Sequence, residues 1–179
     1  MGRPKISLVW RGRTLLERAL DAAVQHPTLV VVGSLPPTES TLLKDRARTS
    51  DLRVIVNDAP QLGMSHSLAL ADAAIANRTS ALAVLLVDTP LVDAPLLARI
   101  AAARGDADVA FPVRCGVPGH PVIFGPRARA LIGALPAGDT LRELRDHPNL
   151  RRVCIETEDD APFIDVDTPD DFNELPGTP

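Results

Sequence analysis

The sequence predicts a doubly wound α/β domain, and three observations carry that expectation. Helix-period and extended apolar segments alternate along the chain, the βαβ rhythm of a sheet covered by helices on both faces. One apolar run, Ala81 to Val87, is unbroken and of strand length, as in a strand buried on both faces of a parallel sheet. No internal repeat, low-complexity stretch or linker interrupts the 179 residues, so one domain, 1–179, is expected. In such folds ligands bind at the carboxyl ends of the strands.

The elements follow in chain order. Thr14 can cap a helix through Leu15, Leu16, Ala19, Leu20, Ala23 and Val24, apolar positions three and four apart. Thr28 to Gly33 is β-branched and short, a buried strand stopped by Gly33 and the Pro36-Pro37 pair. A weaker helix, about Thr38 to Arg48, leads to a strand over Leu52 to Val56, then a loop from Asn57 to Gly63. An Ala-rich helix, Met64 to about Ala76, precedes the apolar strand that Asp88-Thr89-Pro90 closes. Asp93 caps a helix carrying Leu96, Leu97 and Ile100 and ending near Gly105. Asp108 to Val113 forms a strand, Cys115 to Pro121 a turn, and Val122 to Phe124 a short strand. Helices are expected over Pro126 to Leu135 and Thr140 to Asp146, a strand around Val153 to Ile155, and a last helix opened by Pro169.

Composition narrows the function. A net charge of −4, one Trp, no Tyr and no basic block argue against a nucleic-acid partner. No apolar run approaches the roughly 20 residues of a membrane span, so no membrane partner is expected. The opening residues lack the apolar segment of a signal peptide, which makes the cytoplasm the expected location. Cys115 and Cys154 have no metal-type spacing and read as buried small apolar groups in a reducing compartment. A small-ligand enzyme or binding domain remains.

Asp88 is the leading chemical candidate. It follows the most apolar strand, and a carboxylate there can join Mg²⁺, which takes one or two protein carboxylates plus substrate phosphates. It can equally cap the Thr89-Pro90 turn. Asp165 and Asp167 alternate on an extended segment and share one face; one can meet the same metal while the other caps the helix behind Pro169. Gly63-Met64-Ser65-His66-Ser67 opens a helix whose first amides suit an anion or polar ligand, with plain capping by Ser65 the alternative. His66 is given no catalytic role. Only two of the 19 basic residues are lysines, Lys5 and Lys44, and Lys5 can serve a phosphate as a point charge or simply be solvated. His120 reads as a turn-shaping residue, and Gly138-Asp139 as a helix cap.

Together these segments carry a resemblance. Gly2-Arg3-Pro4-Lys5, Asn57 with Gly63-Met64-Ser65-His66-Ser67-Leu68, Leu86-Val87-Asp88-Thr89-Pro90, Gly119-His120-Pro121-Val122, Gly138-Asp139 and Ile164-Asp165-Val166-Asp167-Thr168-Pro169-Asp170-Asp171 stand in the order and spacing of one family's motifs. The chain resembles the MobA-like nucleotidyltransferases, and within them the molybdenum cofactor cytidylyltransferase branch. Thr89 departs from that branch, where a Gln is usual. The first strand and Leu-Ala-Ala-Gly loop that members carry ahead of Gly-Xaa-Pro-Lys are not in this sequence, so an N-terminally short domain is expected.

The resemblance implies a Rossmann-like, three-layer nucleotidyltransferase fold with a mostly parallel central sheet. It implies transfer of CMP from CTP, favoured over GTP, to a molybdopterin-type acceptor, with Mg²⁺ as cofactor, pyrophosphate released and a molybdoenzyme receiving the product. By the same resemblance Lys5 and Asp88 are the catalytic pair, Lys5 meeting the triphosphate. Asn57, Gly63, Met64, Ser65 and Ser67 would bind the nucleotide. Gly119, His120 and Asp139 would line the acceptor side, and Asp88, Asp165 and Asp167 would hold the metal. The other reading is a non-catalytic nucleotide- or cofactor-binding accessory protein.

Overall fold

The computed structural model describes residues 4–136, 138 and 140–177. After Pro4 a single 3₁₀ turn, Lys5–Ser7, leads into a small antiparallel hairpin, β1 (Val9–Trp10) and β2 (Arg13–Thr14). Thr14 then opens α1 (Leu15–Ala22) with a capping box: its hydroxyl accepts the Glu17 N–H at 3.1 Å, and the Glu17 carboxylate accepts the Thr14 N–H at 2.7 Å. Next come β3 (Thr28–Val32), α2 (Pro37–Ala47) and β4 (Leu52–Val56), a βαβ unit with parallel strands registered from Thr28↔Leu52 to Val32↔Val56. The chain continues through α3 (Met64–Ala74), β5 (Leu82–Val84) and α4 (Ala94–Arg104). Asp93 caps α4 by accepting the Leu96 N–H.

The remaining strands build a five-stranded mixed sheet. β6 (Val109–Arg114) pairs antiparallel with β7 (Val117–Pro118) and β8 (Val122–Phe124) and in parallel with β9 (Arg152–Glu156), while β8 pairs antiparallel with β5. Between β8 and β9 lie α5 (Pro126–Arg129) and α6 (Leu141–Arg145), and α7 (Pro169–Asn173) follows β9. The alternation of β6 and β8 assigns each face its helices. Val109, Phe111, Val113, Val122 and Phe124 pack with Leu68 of α3, Ala128 of α5, and Leu141 and Leu144 of α6. Ala110 and Ile123 face the other way, against Leu96, Leu97 and Ile100 of α4. Helices on both faces of a sheet give the three-layer α/β architecture expected from the sequence.

Two further clusters position the front of the molecule. Leu16 and Leu20 of α1 pack with Leu43 of α2 and Leu52 of β4. On the same helix Leu15 turns to Trp10, Val166 and Leu175, joining the start of the chain to its last elements. A buried ion pair locks α3 to α5: Arg129, 2% exposed, donates its Nε to Asp72 at 2.7 Å, and its Nη1 reaches the carbonyl oxygens of Asn77 and Ser80. Among the described residues no helix is long and apolar enough to cross a membrane.

Some local expectations need correction. The strand in the run Ala81 to Val87 covers only Leu82–Val84, and residues 82 to 87 are half-buried, because its ladder runs along one edge to antiparallel β8. The expected helix from Pro126 splits into four-residue α5 and a 3₁₀ turn, Ile132–Ala134, with Gly133 inside it. Both cysteines are exposed free thiols rather than core groups. Cys154 falls on the outward parity of β9, whose exposure alternates along the strand, and Cys115 sits at φ 51° in the turn leaving β6.

Candidate active site

The site gathers where strands end. The chain leaves β5 through Asp88, and the Asp88 carbonyl accepts the Val166 N–H at 2.8 Å. Val166 is fully buried, while Asp165 and Asp167 on either side of it are exposed, so both carboxylates share one outward face as their alternation predicts. Lys5, at the start of the 3₁₀ turn behind Pro4, reaches into this corner. Its ammonium lies 3.5 Å from Asp88 Oδ2 and donates a hydrogen bond to Asp167 Oδ1. Burial pulls the Lys5 ammonium downward, but the Asp167 hydrogen bond and the Asp88 charge outweigh it and raise its pKa above the ordinary lysine value. Lys5 therefore stays charged.

Asp88 is not spent on its turn. The Thr89 hydroxyl closes that turn by donating to the Leu86 carbonyl at 2.9 Å. Asp88 Oδ1 is buried and finds no hydrogen-bond partner among the described residues. A buried, unpartnered carboxylate oxygen beside a lysine suits a cation and is costly without one. No three metal-ligating side chains converge among the described residues. A cation of the Mg²⁺ type needs only one or two protein carboxylates and completes its shell with phosphate and water. Neither Asp165 nor Asp167 caps α7; Thr168 does, so both members of the pair are left for other work.

A second group forms around the opening of α3. Gly63, at φ 83°, is the residue before the helix, and no side chain caps it. Ser65 is buried with its hydroxyl unpartnered among the described residues, and it does not cap the helix. The first-turn N–H groups of an uncapped helix suit an anion. Asn57 is 1% exposed and holds the approach: its amide donates to Ser67 Oγ at 2.9 Å and its carbonyl accepts the Ala59 N–H. Gly138 donates its N–H to the Leu62 carbonyl at 3.2 Å, and a Cβ on Gly63 would meet Gly138 Cα at 3.4 Å. Gly138 is thereby brought against the Gly63 loop; Asp139 lies outside the described residues.

The third group is the turn before β8. Gly119 is buried against Pro162 and Phe163, where a Cβ would lie 2.5 Å from the Pro162 carbonyl oxygen, so only glycine fits. His120 donates its N–H to that same carbonyl. Among the described residues its buried ring Nδ1 finds no partner, and burial lowers its pKa below the ordinary value; the Asp88 and Asp165 carboxylates oppose that shift, and Arg145 adds to it. His120 therefore sits in the electrostatic reach of the Lys5–Asp88 corner. Among the described residues no hydrogen bond or ion pair joins that corner to the Asn57–Ser67 group.

Arg145 joins the surroundings of His120 from the end of α6. Its guanidinium lies over the Phe111 ring, 5.2 Å from the centroid, and is held in two hydrogen bonds by Asp146. No spacing signal marks it, because its partners come from a different element and a loop residue. Pro162 was equally invisible, since it acts through a carbonyl.

A three-layer α/β fold whose strand ends present a charged lysine, paired carboxylates and an uncapped helix start is built for phosphate chemistry. The chain belongs to the MobA-like NTP transferase domain family, which matches residues 1–153, and it is a nucleotidyltransferase. It is 25% identical to the molybdenum cofactor cytidylyltransferase of Escherichia coli (strain K12), over 96% of this chain and 86% of that protein. It is 31% identical to the molybdenum cofactor guanylyltransferase of Xanthomonas euvesicatoria pv. vesicatoria (strain 85-10), over 98% and 87%. The crystal structure of Rv0371c from Mycobacterium tuberculosis H37Rv superposes with a TM-score of 0.74 at 23% identity, covering 98% of this chain and 89% of that one. A manganese complex of Rv0371c gives 0.70 at 26% identity, covering 96% and 91%.

Proposed function

We propose that this protein is a Mg²⁺-dependent nucleotidyltransferase of molybdenum cofactor maturation, transferring CMP from CTP to the phosphate of a molybdopterin-type acceptor. An acceptor phosphate oxygen forms a bond to the α-phosphorus as the bond from that phosphorus to the bridging oxygen breaks, and pyrophosphate leaves. The observation that carries this reading is Lys5 held between Asp88 and Asp167 while the second Asp88 oxygen is buried and unpartnered.

In-line displacement at phosphorus is limited by charge and alignment, so fixed groups do most of the catalysis. Lys5 meets the triphosphate and exchanges its carboxylate partners for phosphate oxygens. Asp88, with Asp165 or Asp167, would hold the divalent ion, which would neutralise charge on the phosphates. The α3 start at Gly63, Met64 and Ser65 receives the nucleotide, and Asn57 sets Ser67 beside it. Gly119, His120 and Asp139 form the acceptor side, where a neutral His120 offers a hydrogen bond without adding a cation. A molybdoenzyme then takes the product.

The manganese complex of a similar structure supports a divalent ion. The guanylyltransferase relative, at 31% identity, favours GTP as the second reading. Calorimetric titration with CTP and then GTP, with and without Mg²⁺, tests both. Mg²⁺-dependent binding that prefers CTP, followed by pyrophosphate release with the acceptor, is the expected result. A preference for GTP moves the protein to the second reading, and binding of neither nucleotide overturns the proposal.

A further inference from the structure

The carboxylate that partners Lys5 from the far end of the chain is itself exposed. Asp167 has a side chain 64% exposed, and an exposed ion pair alone seldom fixes a geometry. What fixes Asp167 is its backbone. The N–H groups of three successive residues are all taken: Val166 by the Asp88 carbonyl at 2.8 Å, Asp167 by Asp171 Oδ2 at 2.9 Å, and Thr168 by the same Asp171 oxygen at 2.6 Å. A capping box at α7 needs only two reciprocal bonds, Thr168 Oγ to the Asp171 N–H and the Asp171 carboxylate to the Thr168 N–H. The bond to the Asp167 N–H is additional. It does nothing for the helix and acts one residue further back, on the backbone that aims the carboxylate at Lys5.

We propose that Asp171 is a positioning residue for the transfer reaction: it clamps the Asp167 backbone so that Asp167 and Asp88 hold Lys5 between them, preset for the triphosphate. The proposal rests on the reading of Lys5 as the triphosphate ligand. Without the clamp, Asp167 swings away and the ammonium settles on Asp88 alone, occupying the carboxylate that the divalent ion needs. Asp171 touches no substrate in this scheme.

The test measures the affinity of the full chain for CTP or GTP, whichever it binds, and for the matching nucleoside, in Mg²⁺. Asp171→Ala is expected to weaken triphosphate binding about tenfold, the scale on which supporting groups behind a charged site act, and to leave nucleoside binding unchanged. Asp171→Asn keeps an acceptor oxygen and restores most of the loss. Thr168→Ala removes the bond to the Asp171 N–H but spares both backbone bonds, so it lowers the melting temperature without changing the triphosphate-to-nucleoside ratio. None of the five α7 residues is buried, so these variants are expected to fold. Equal effects of Asp171→Ala and Thr168→Ala on triphosphate binding would reduce Asp171 to a helix cap and overturn the proposal. So would unchanged triphosphate binding in Asp171→Ala while Lys5→Ala weakens it. Unchanged binding in Lys5→Ala itself overturns the reading of Lys5, and the clamp falls with it.

Discussion

At Asp88 the two carboxylate oxygens lead different lives: one faces the Lys5 ammonium, the other is buried without a partner among the described residues. A buried oxygen with no partner costs the fold stability rather than adding to it. Asp88→Ala is therefore expected to abolish the Mg²⁺-dependent part of nucleotide affinity while costing less than about 1 kcal/mol of stability, read by calorimetry and urea unfolding. A large loss of stability would make Asp88 structural. His120 makes a prediction of the opposite kind. Its folded pKa is lowered by burial, against Asp88 and Asp165 and with Arg145, so the unfolded chain takes up a proton near 6.5 that the folded ring refuses. Stability is then full above that value and declines as the pH falls below it. Urea unfolding from pH 5 to 8, wild type minus His120→Gln, should show that slope, and a flat difference removes it. Asp88, Lys5 and the Asp165–Asp167 alternation were legible in the sequence because strand ends and period-two spacing are local. The burial of Asn57 and the nearness of Arg145 to His120 were not, because each depends on the packing of elements distant in sequence; the turn duty of Thr89, a bond to Leu86 three residues back, is local, but Asp88 offers the turn the same service and the sequence does not choose between them.

Helix starts show how far local chemistry reaches. The sequence marks Thr14 and Asp93 as caps, and α1 and α4 begin at the next residue in each case. Thr14→Ala removes the cap at the start of α1 and is expected to cost about 1 kcal/mol, checked by denaturant unfolding. Strand partners are a different matter. The run Ala81 to Val87 has the composition of a central parallel strand, yet its ladder is antiparallel to β8. A strand's own residues report that it is buried, not which edge it meets. Gly119 shows the same limit. Only the packed structure reveals that a Cβ there would strike the Pro162 carbonyl. Gly119→Ala must move that backbone, and a loss of about 1–3 kcal/mol with a displaced His120 is expected from overpacking, checked by urea unfolding.

For the whole molecule, two ties matter most. The Arg129–Asp72 pair joins α3 to α5 in the interior, while Arg78 meets the same carboxylate from a side chain 61% exposed. Arg129→Ala takes the interior donor from Asp72 Oδ1 and from two carbonyls, leaving the carboxylate only the largely exposed Arg78, and is expected to cost about 3 kcal/mol. Arg78→Ala should cost less than about 1 kcal/mol, because its end of the pair is in water. Urea unfolding of the two variants separates them. The other tie is Lys5 to Asp167, 162 positions apart, with Trp10 buried behind it against Val166 and Leu175. A contact across that much chain closes a very long loop, and such contacts pay off only after the rest of the fold is in place. The protein's one tryptophan lies at that seam. Its fluorescence during refolding should therefore act as a clock for the final closure, and the power to grip a triphosphate should return on the same tick.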